Sequence, residues 1–327
     1  MQSNKSIKIF IKYFLGPVLF VWLGYSIYNQ ITNQPQLEQS WQNIKESLQS
    51  YKVTYLLAAV LLIFGNWGIE AFKWKLLVQN IHPLNFLKSF KAVLSGVSFS
   101  VTMPNRVGEY VGRMMYMPEG SRLRTISAAI VGSISQLIVT FFIGIIGLFF
   151  LKRSLLVAYP QLEIWFDFTL YALLFIFFVI TIFYLNVHLI SSFFTRWFKS
   201  DKYYYLVEAL SSYHIKFLFQ LIVLSFIRYS IFLVQYILIF LVFNVDASFG
   251  TLAAAMSVVF LALAVIPSIA LLEIGLRGEI SLKLVGIFSI NSLGIGLTSV
   301  TIWFMNLIIP AIAGSIFFLS IKLLKKE

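Results

Sequence analysis

The chain has 327 residues, of which 59% are hydrophobic and only 12% are charged, and its net charge is +12. A soluble protein of this length cannot bury so much apolar surface, so the composition excludes a soluble domain and favours a membrane protein. The sequence contains no cysteine, which excludes disulfides, thiolate metal sites and cysteine nucleophiles.

Apolar runs that are long enough to cross a bilayer, which takes about 20 helical residues, recur along the chain. Seven strong runs lie near 10–28, 53–72, 125–151, 167–187, 217–243, 250–272 and 292–321. Two weaker runs, near 86–103 and 280–290, flank charged stretches. No polar linker separates two cores, so we predict a single transmembrane domain over residues 1–327. Lysines precede the first run and no small-residue cleavage site follows it, so we interpret that run as an uncleaved span.

The charges between the runs predict the orientation. Basic residues lie in the connections, which favours cytoplasmic loops facing anionic lipid and disfavours nucleic acid as a partner. Lysines also follow the last run, so both termini are predicted in the cytoplasm and the number of crossings is even. About eight transmembrane helices fit if one weak run crosses and the other is re-entrant. The polar segment 188–216 is either a helix in the headgroup layer or a solvated loop.

The first charged stretch contains Arg106, Glu109 and Arg113 between apolar runs. If a helix follows Pro104, the three charged residues share one face, at i, i+3 and i+7. With Asn105 as the N-cap, backbone N–H groups face the same way as the arginines, which suits a phosphate. The alternative is a loop helix whose charges are solvated at the membrane surface.

The second charged stretch follows Pro267, which is expected to break the preceding apolar helix. It contains Glu273 and Arg277, four residues apart, and then Glu279 and Lys283, also four residues apart. Both stretches contain Gly-Glu with a basic residue four positions after the glutamate. This pattern indicates an internal repeat in which two broken helices meet at one site.

Two more charged residues lie inside apolar runs. Arg228 is near the middle of its run, where an arginine costs about 2.5–3.5 kcal/mol, so we expect it to face the protein interior. Its expected partner is one of three acids, Glu109, Glu273 or Glu279. Glu70, with Lys73 three residues later, is interpreted as an ion pair that reaches the membrane edge.

These stretches resemble those of the lysylphosphatidylglycerol synthase transmembrane family, also called flippase-like membrane proteins. The family motif Pro-x-Arg-x-Gly-Glu-x-x-x-Arg is matched in full by residues 104–113. A later motif, Pro…Gly-x-Arg-Glu, is degenerate, because residues 272–273 replace a double glycine and Gly278 separates Arg277 from Glu279. The resemblance implies a multi-span fold that translocates lipid headgroups, in a stand-alone member without the soluble aminoacyl-transferase domain.

No cofactor and no metal site is predicted. The sequence has no Walker A loop and no Gly-x-Ser-x-Gly elbow, and His82, His188 and His214 are scattered. ATP-driven pumping is therefore not supported, and a transporter is preferred to an enzyme, a question that the sequence leaves open. The alternatives are an intramembrane glycosyl- or phosphoryl-transferase acting on a lipid carrier, with an acid as general base, and a non-catalytic membrane partner subunit.

The resemblance and the charges together predict a flippase in the bacterial cytoplasmic membrane. Its partners are the membrane and its lipid substrate, an anionic phospholipid or a polyprenyl-phosphate-linked headgroup, and a homo-oligomer is left open. The candidate substrate-binding residues are Arg106, Glu109, Arg113, Arg228, Glu273, Arg277 and Glu279. Arg106 and Arg113 are expected to grip the phosphate, and the two charged stretches are expected to meet in one cavity.

Overall fold

The computed structural model describes residues 25–26, 28–29, 31–33, 37–102, 107–187, 213–266 and 270–324. Within this part of the chain the structure is helical and contains no strand, which confirms the predicted all-α polytopic membrane fold. The helices, in order, are α1 (Leu37–Gln49), α2 (Val53–Leu77), α3 (Phe86–Thr102), α4 (Val107–Met114), α5 (Arg122–Ala158), α6 (Glu163–Leu185), α7 (Ile215–Val242), α8 (Phe249–Val265), α9 (Ala270–Val285), α10 (Ser292–Trp303) and α11 (Ile309–Leu324). A π-helical turn, Phe304–Ile308, joins α10 to α11.

Five helical segments among the described residues are long and apolar enough to cross a bilayer. They contain α2, α5, α6, α7 and the continuous helix that runs from α10 through the π turn into α11. Most of the predicted first run near 10–28 and most of the segment 188–216 lie outside the described residues. The expected count of about eight crossings therefore remains a prediction.

The centre of the fold is the pair of helices α2 and α7, which pack against each other in antiparallel orientation. Lys52, just before α2, donates to the side chain of Asn244, just after α7. At the other end of the pair, the Tyr213 hydroxyl donates to the carbonyl of Leu77 at 2.8 Å. Helix α1 lies at the first end, where the Asn244 amide donates to the carbonyl of Asn43 at 2.9 Å. We call that end of the molecule the α1 side.

Helices α3 and α4 form a hairpin, hairpin 1, which enters from the side opposite α1. The 17 residues of α3 and the 8 of α4 extend for about 25 Å and 12 Å, less than the hydrocarbon core of about 30 Å. The arms touch backbone to backbone, because a Cβ on Gly112 would lie 2.5 Å from the Cα of Gly96. A Cβ on Gly108 would lie 2.2 Å from the carbonyl oxygen of Phe99. The weak run near 86–103 is therefore one arm of a re-entrant hairpin.

Helices α8 and α9 form a second hairpin, hairpin 2, which enters from the α1 side. Helix α8 packs on α5, and Gly147 in the second half of α5 lies beside Ala254 in the first half of α8. The hydroxyl of Tyr159, just after α5, donates to the carbonyl of Lys283 near the end of α9 at 3.2 Å. Helix α9 therefore returns to the side on which α8 begins.

Hairpin 2 confirms the break expected at Pro267 and changes the interpretation of the weak run that follows it. The strong run near 250–272 is not one helix, because α8 ends at Val265 and Ile266 is extended, with ψ 111°. Extended backbone is what the residue before a proline prefers, and Pro267 follows Ile266 in the sequence. The weak run near 280–290 is the end of α9 and the turn after it, and not a separate crossing.

The two hairpins belong to two halves with the same order of elements: a long helix, a hairpin and another long helix. Helices α3 and α8 both have 17 residues, and four residues separate each from its second arm. Because α2 and α7 are antiparallel, the hairpins enter from opposite sides, which is the arrangement of an inverted repeat. Its register differs from the predicted one. Glu109 and Arg113 correspond to Glu273 and Arg277, because Glu109 and Glu273 each lie in the first turn of the second arm, whereas Glu279 lies further on.

Candidate functional site

A cluster of buried charges lies where α2, α4 and α7 meet. Glu70 is at its centre: Oε2 lies 3.2 Å from Lys73 Nζ and 3.4 Å from Arg228 Nη1, and Oε1 lies 2.9 Å from Arg113 Nη2. The side chains of Glu70, Lys73 and Arg113 are 7%, 2% and 6% exposed. We call these four residues the Glu70 cluster. One carboxylate thus ties α2 to hairpin 1 and to α7.

The Glu70 cluster corrects two expectations. Three acids are expected beside Arg228 from the sequence: Glu109, Glu273 and Glu279. The carboxylate in contact with Arg228 is Glu70, because the midpoints of the antiparallel helices α2 and α7 face each other. Glu70 and Lys73 also do not reach the membrane edge, since both are buried and Lys73 Nζ donates to the carbonyl of Gly132 in α5 at 3.1 Å.

Aromatic rings cover the buried arginines. The guanidinium carbon lies 5.2 Å from the ring centroid of Trp74 for Arg113, 5.3 Å from that of Trp67 for Arg228, and 5.7 Å from that of Phe232 for Arg277. A cation over a ring face gains electrostatic stabilisation where water is excluded. These rings help to offset the cost of holding three arginines away from water.

A cavity of about 570 Å³ lies between the two hairpins and the pair α2 and α7. Its charged lining residues are Glu109, Arg228, Glu273 and Arg277. Hydroxyl and amide groups from α2, α3, α5 and the π turn complete its polar surface. The described parts of both charged stretches therefore meet at one cavity. Among the described residues, no three His, Cys, Asp or Glu side chains lie close together.

The cavity lies midway along α2 and α7, two helices that are long and apolar enough to cross a bilayer. Asn66 is near the midpoint of α2 and Arg228 near the midpoint of α7, so each is about 20 Å from the ends of its helix. The lining also includes Ala264 and Ile266, which are exposed on the surface of the protein at the end of α8. Exposed residues at the end of the first arm of hairpin 2 therefore border the cavity.

Arg277 lies in the wall of this cavity with one acid and one phenol beside it. Its Nη2 donates to Glu273 Oε1 at 2.6 Å, and its Nη1 donates to the Tyr236 hydroxyl at 2.7 Å. Its Nε has no hydrogen-bond partner in the described part of the chain. Because the Tyr236 hydroxyl is uncharged, part of the positive charge of Arg277 stays available to a ligand.

The other candidate residues occupy different places. Arg113 lies behind the cavity wall, where Nη2 also lies 3.3 Å from Glu109 Oε2. Glu279 does not line the cavity; its Oε1 lies 3.2 Å from the Nζ of Lys283, whose side chain is 58% exposed. Arg106 lies outside the described residues.

Three buried amide side chains in this region were not predicted from the sequence: Asn66, Gln235 and Asn306. They form a chain of hydrogen bonds, here called the amide ladder, from α7 through the π turn to α2. Asn66 and Asn306 line the cavity. The signal that could have found them is an amide in the middle of an apolar run, where it must bond to another helix.

The chain matches a known protein family. The family model described as the lysylphosphatidylglycerol synthase TM region matches residues 10–314. The chain belongs to this family. No curated protein and no solved structure matches the chain.

Membership of the lysylphosphatidylglycerol synthase TM family agrees with the resemblance carried by residues 104–113. The matched region covers both hairpins, the Glu70 cluster and the cavity. The family is one of membrane proteins with a lipid-related function.

Proposed function

We propose that this protein is a flippase that moves a phosphate-containing lipid headgroup between the two leaflets of the cytoplasmic membrane. The observation that carries the proposal is the cavity midway along α2 and α7, which is lined by Arg228 and Arg277 and bordered by exposed residues of hairpin 2. Charged residues at this depth are costly and are retained mainly where they have a functional partner. The chain acts as a single transmembrane unit in this proposal.

The two cavity arginines bind the phosphate. Arg228 and Arg277 reach the cavity from α7 and from hairpin 2, and a guanidinium group matches phosphate oxygens through paired N–H donors. Arg113 faces Glu70 and Glu109, so it holds hairpin 1 in place and does not grip the substrate itself. Arg106, in the first charged stretch, is proposed as a further contact to the phosphate.

The cavity acids have a complementary role. Glu273 occupies Nη2 of Arg277, and Glu109 lies on the opposite hairpin. When no lipid is bound, Glu273 neutralises Arg277, which would otherwise be unpaired away from water. When a phosphate enters, it replaces Glu273 as the anion beside Arg277. The acyl chains stay in the surrounding lipid, because only the headgroup needs the polar cavity.

The inverted repeat supports movement of a headgroup from one leaflet to the other. Hairpin 1 enters from the side opposite α1 and hairpin 2 from the α1 side, and their charged second arms meet at the cavity. Transporters built from inverted repeats open alternately to the two sides of a central site. If hairpin 1 and hairpin 2 open alternately, the headgroup gains access to each leaflet in turn.

The test is a lipid-flipping assay with the purified protein in liposomes. Fluorescent phosphatidylglycerol is placed in both leaflets, and a membrane-impermeant quencher reports how fast inner-leaflet lipid reaches the outside. Arg277→Lys and Arg228→Lys should each slow flipping by about tenfold or more, because lysine keeps the charge but loses the paired donors. Other anionic lipids, including polyprenyl phosphates, are tried in the same assay.

Two controls accompany the assay. Arg153→Lys, at an exposed position near the end of α5, makes the same chemical change away from the cavity and should leave the rate unchanged. A zwitterionic lipid reports nonspecific scrambling. The phosphate role is wrong if both cavity variants flip every anionic lipid as fast as the parent protein does.

A further inference from the structure

The amide ladder connects the cavity arginine Arg228 to the backbone of α2 through three helical segments. Gln235 Nε2 donates to the carbonyl of Ala59 at 2.9 Å, and Asn306 Nδ2 donates to Gln235 Oε1 at 3.2 Å. Asn66 Nδ2 then donates to Asn306 Oδ1 at 2.8 Å, and Arg228 Nε donates to Asn66 Oδ1 at 2.9 Å. The three amides are 0%, 9% and 3% exposed for Gln235, Asn306 and Asn66.

The direction of every hydrogen bond in the ladder is fixed from both ends. The carbonyl of Ala59 can only accept, so Gln235 must turn its nitrogen toward it and its oxygen toward Asn306. At the other end, Arg228 Nε can only donate, so Asn66 must turn its oxygen toward it. The two requirements agree at the bond between Asn66 and Asn306, so no amide can flip without losing a bond.

The π turn explains how Asn306 reaches this position. Pro310 lacks an N–H group and therefore cannot donate to the carbonyl of Asn306 four residues earlier. The helix widens into the π turn Phe304–Ile308 at this point, and such turns inside membrane helices often carry functional side chains. Asn306 is thereby placed between Asn66 and Gln235, at the crossing of α2 and α7.

We propose that Asn306, acting through Asn66, is a positioning residue that sets which edge of the Arg228 guanidinium faces the cavity. With Nε held by Asn66 and the ring of Trp67 at 5.3 Å, the group cannot rotate, and its Nη edge is left for Glu70 and for an incoming phosphate. A free arginine side chain loses more rotational freedom on binding than one already oriented. The part that concerns phosphate rests on the proposed flippase function, whereas the orientation of Arg228 does not.

The first test measures how flipping depends on the mole fraction of fluorescent phosphatidylglycerol in the liposome. Asn306→Leu removes the acceptor of Asn66, so the half-saturating mole fraction should rise by about tenfold, the loss expected for one hydrogen bond to a charged group. The maximal rate should change much less. Ser230→Ala, on the same helix as Arg228, removes a hydroxyl that donates to the Phe226 carbonyl and should change neither value.

Epistasis separates positioning from structural damage. Lysine has no Nε–H for Asn66 to hold, so Asn306→Leu should add no further change in an Arg228→Lys background. A purely structural role would give the same additional loss in both backgrounds, and that result would overturn the proposal. Asn66→Leu is a second variant for the case in which Asn306→Leu does not fold, because it leaves the bond between Asn306 and Gln235 intact.

The second test does not depend on transport. Phenylglyoxal reacts with the Nη edge of an arginine, and mass spectrometry of the purified protein in detergent gives the labelling rate of Arg228. Both Asn306→Leu and Asn66→Leu should slow labelling of Arg228 severalfold while the rate at Arg277 stays constant. Unchanged labelling of Arg228 would refute the positioning role even if the protein flips lipid. Slowed labelling in a protein that flips no lipid would support the ladder and reject the flippase.

Discussion

Two arginines, Arg113 and Arg277, occupy corresponding places in the two halves of the molecule but have different surroundings. Each follows an acid by four residues on the second arm of a hairpin and lies over an aromatic ring. Arg113 faces away from the cavity, with carboxylates of Glu70 and Glu109 within 3.3 Å. Arg277 lines the cavity, with Glu273 and an uncharged phenol as its partners.

The difference follows from one residue of the long helix beside each hairpin. In the first half that helix supplies Glu70, which draws Arg113 into an ion cluster. In the second half it supplies Tyr236, which orients Arg277 without neutralising it. A second carboxylate therefore holds Arg113 in an ion cluster, whereas a phenol leaves Arg277 at the cavity with one carboxylate partner. In the proposed flippase, the first half is therefore the fixed part of the repeat and the second half is the part that binds the headgroup.

The largest effect should come from removing the acid that distinguishes the halves. Glu70→Gln leaves Lys73, Arg113 and Arg228 without their shared carboxylate and should destabilise the protein by about 3–5 kcal/mol. Glu273→Gln should cost less, about 1.5–3 kcal/mol, because Arg277 keeps its bond to Tyr236. Denaturation in mixed detergent micelles, followed by tryptophan fluorescence, compares the two variants. Equal losses would mean that the two arginines are not held differently.

A smaller effect is expected where hairpin 1 is closed by glycine. Gly112→Ala forces the arms apart, since its Cβ would lie 2.5 Å from the Cα of Gly96, and should cost about 1–3 kcal/mol. Arg113 would move with α4 and separate from Glu70. The matched control is Gly68→Ala in α2, where a Cβ meets no atom within 4 Å and alanine should stabilise the helix by about 0.5–1 kcal/mol. Unfolding of both variants by the same denaturant gives the comparison, and a neutral Gly112→Ala would contradict the tight hairpin.

The smallest effect is expected at the basic residue that the sequence pattern pairs with Arg113. Lys283 is 58% exposed and bridges Glu279 from the surface, so Lys283→Ala should change stability by no more than about 1 kcal/mol. Flipping should also be unaffected, because neither residue of this pair lines the cavity. A large loss of stability or of flipping would instead support the register predicted from the sequence, in which Lys283 corresponds to Arg113.

The apolar runs of the sequence predicted the class of fold because the thickness of the bilayer sets the length of each helix. The position of Arg228 in the interior also followed, since an arginine at the middle of a helix cannot face lipid. The broken helices were predicted at the right places because proline and charge together interrupt an apolar run. The family resemblance of residues 104–113 was confirmed by a match over residues 10–314.

The partners of these charges did not follow from the sequence, because they depend on which helices cross. Glu70 and Arg228 meet only because α2 and α7 are antiparallel with their midpoints together. The spacing of Glu70 and Lys73 is the same for an ion pair at the surface and for one inside the protein. Likewise, the sequence allows two alignments of the repeat. The Gly-Glu pattern aligns the first stretch with Glu279, whereas the four-residue spacing aligns it with Glu273 and Arg277, and the positions of the helix ends decide for the second alignment.

The contact between α3 and α11 has a consequence for how the protein is made. A Cβ on Gly314 of α11 would lie 1.9 Å from the carbonyl oxygen of Leu94 in α3, so α11 packs directly onto hairpin 1. Synthesis proceeds from the N-terminus, so hairpin 1 leaves the ribosome long before α11 exists. Its short arms and its charges cannot settle in lipid alone. We therefore expect hairpin 1 to complete its folding only after α11 has been synthesised, and a chain that stalls before α11 to leave that side of α3 uncovered.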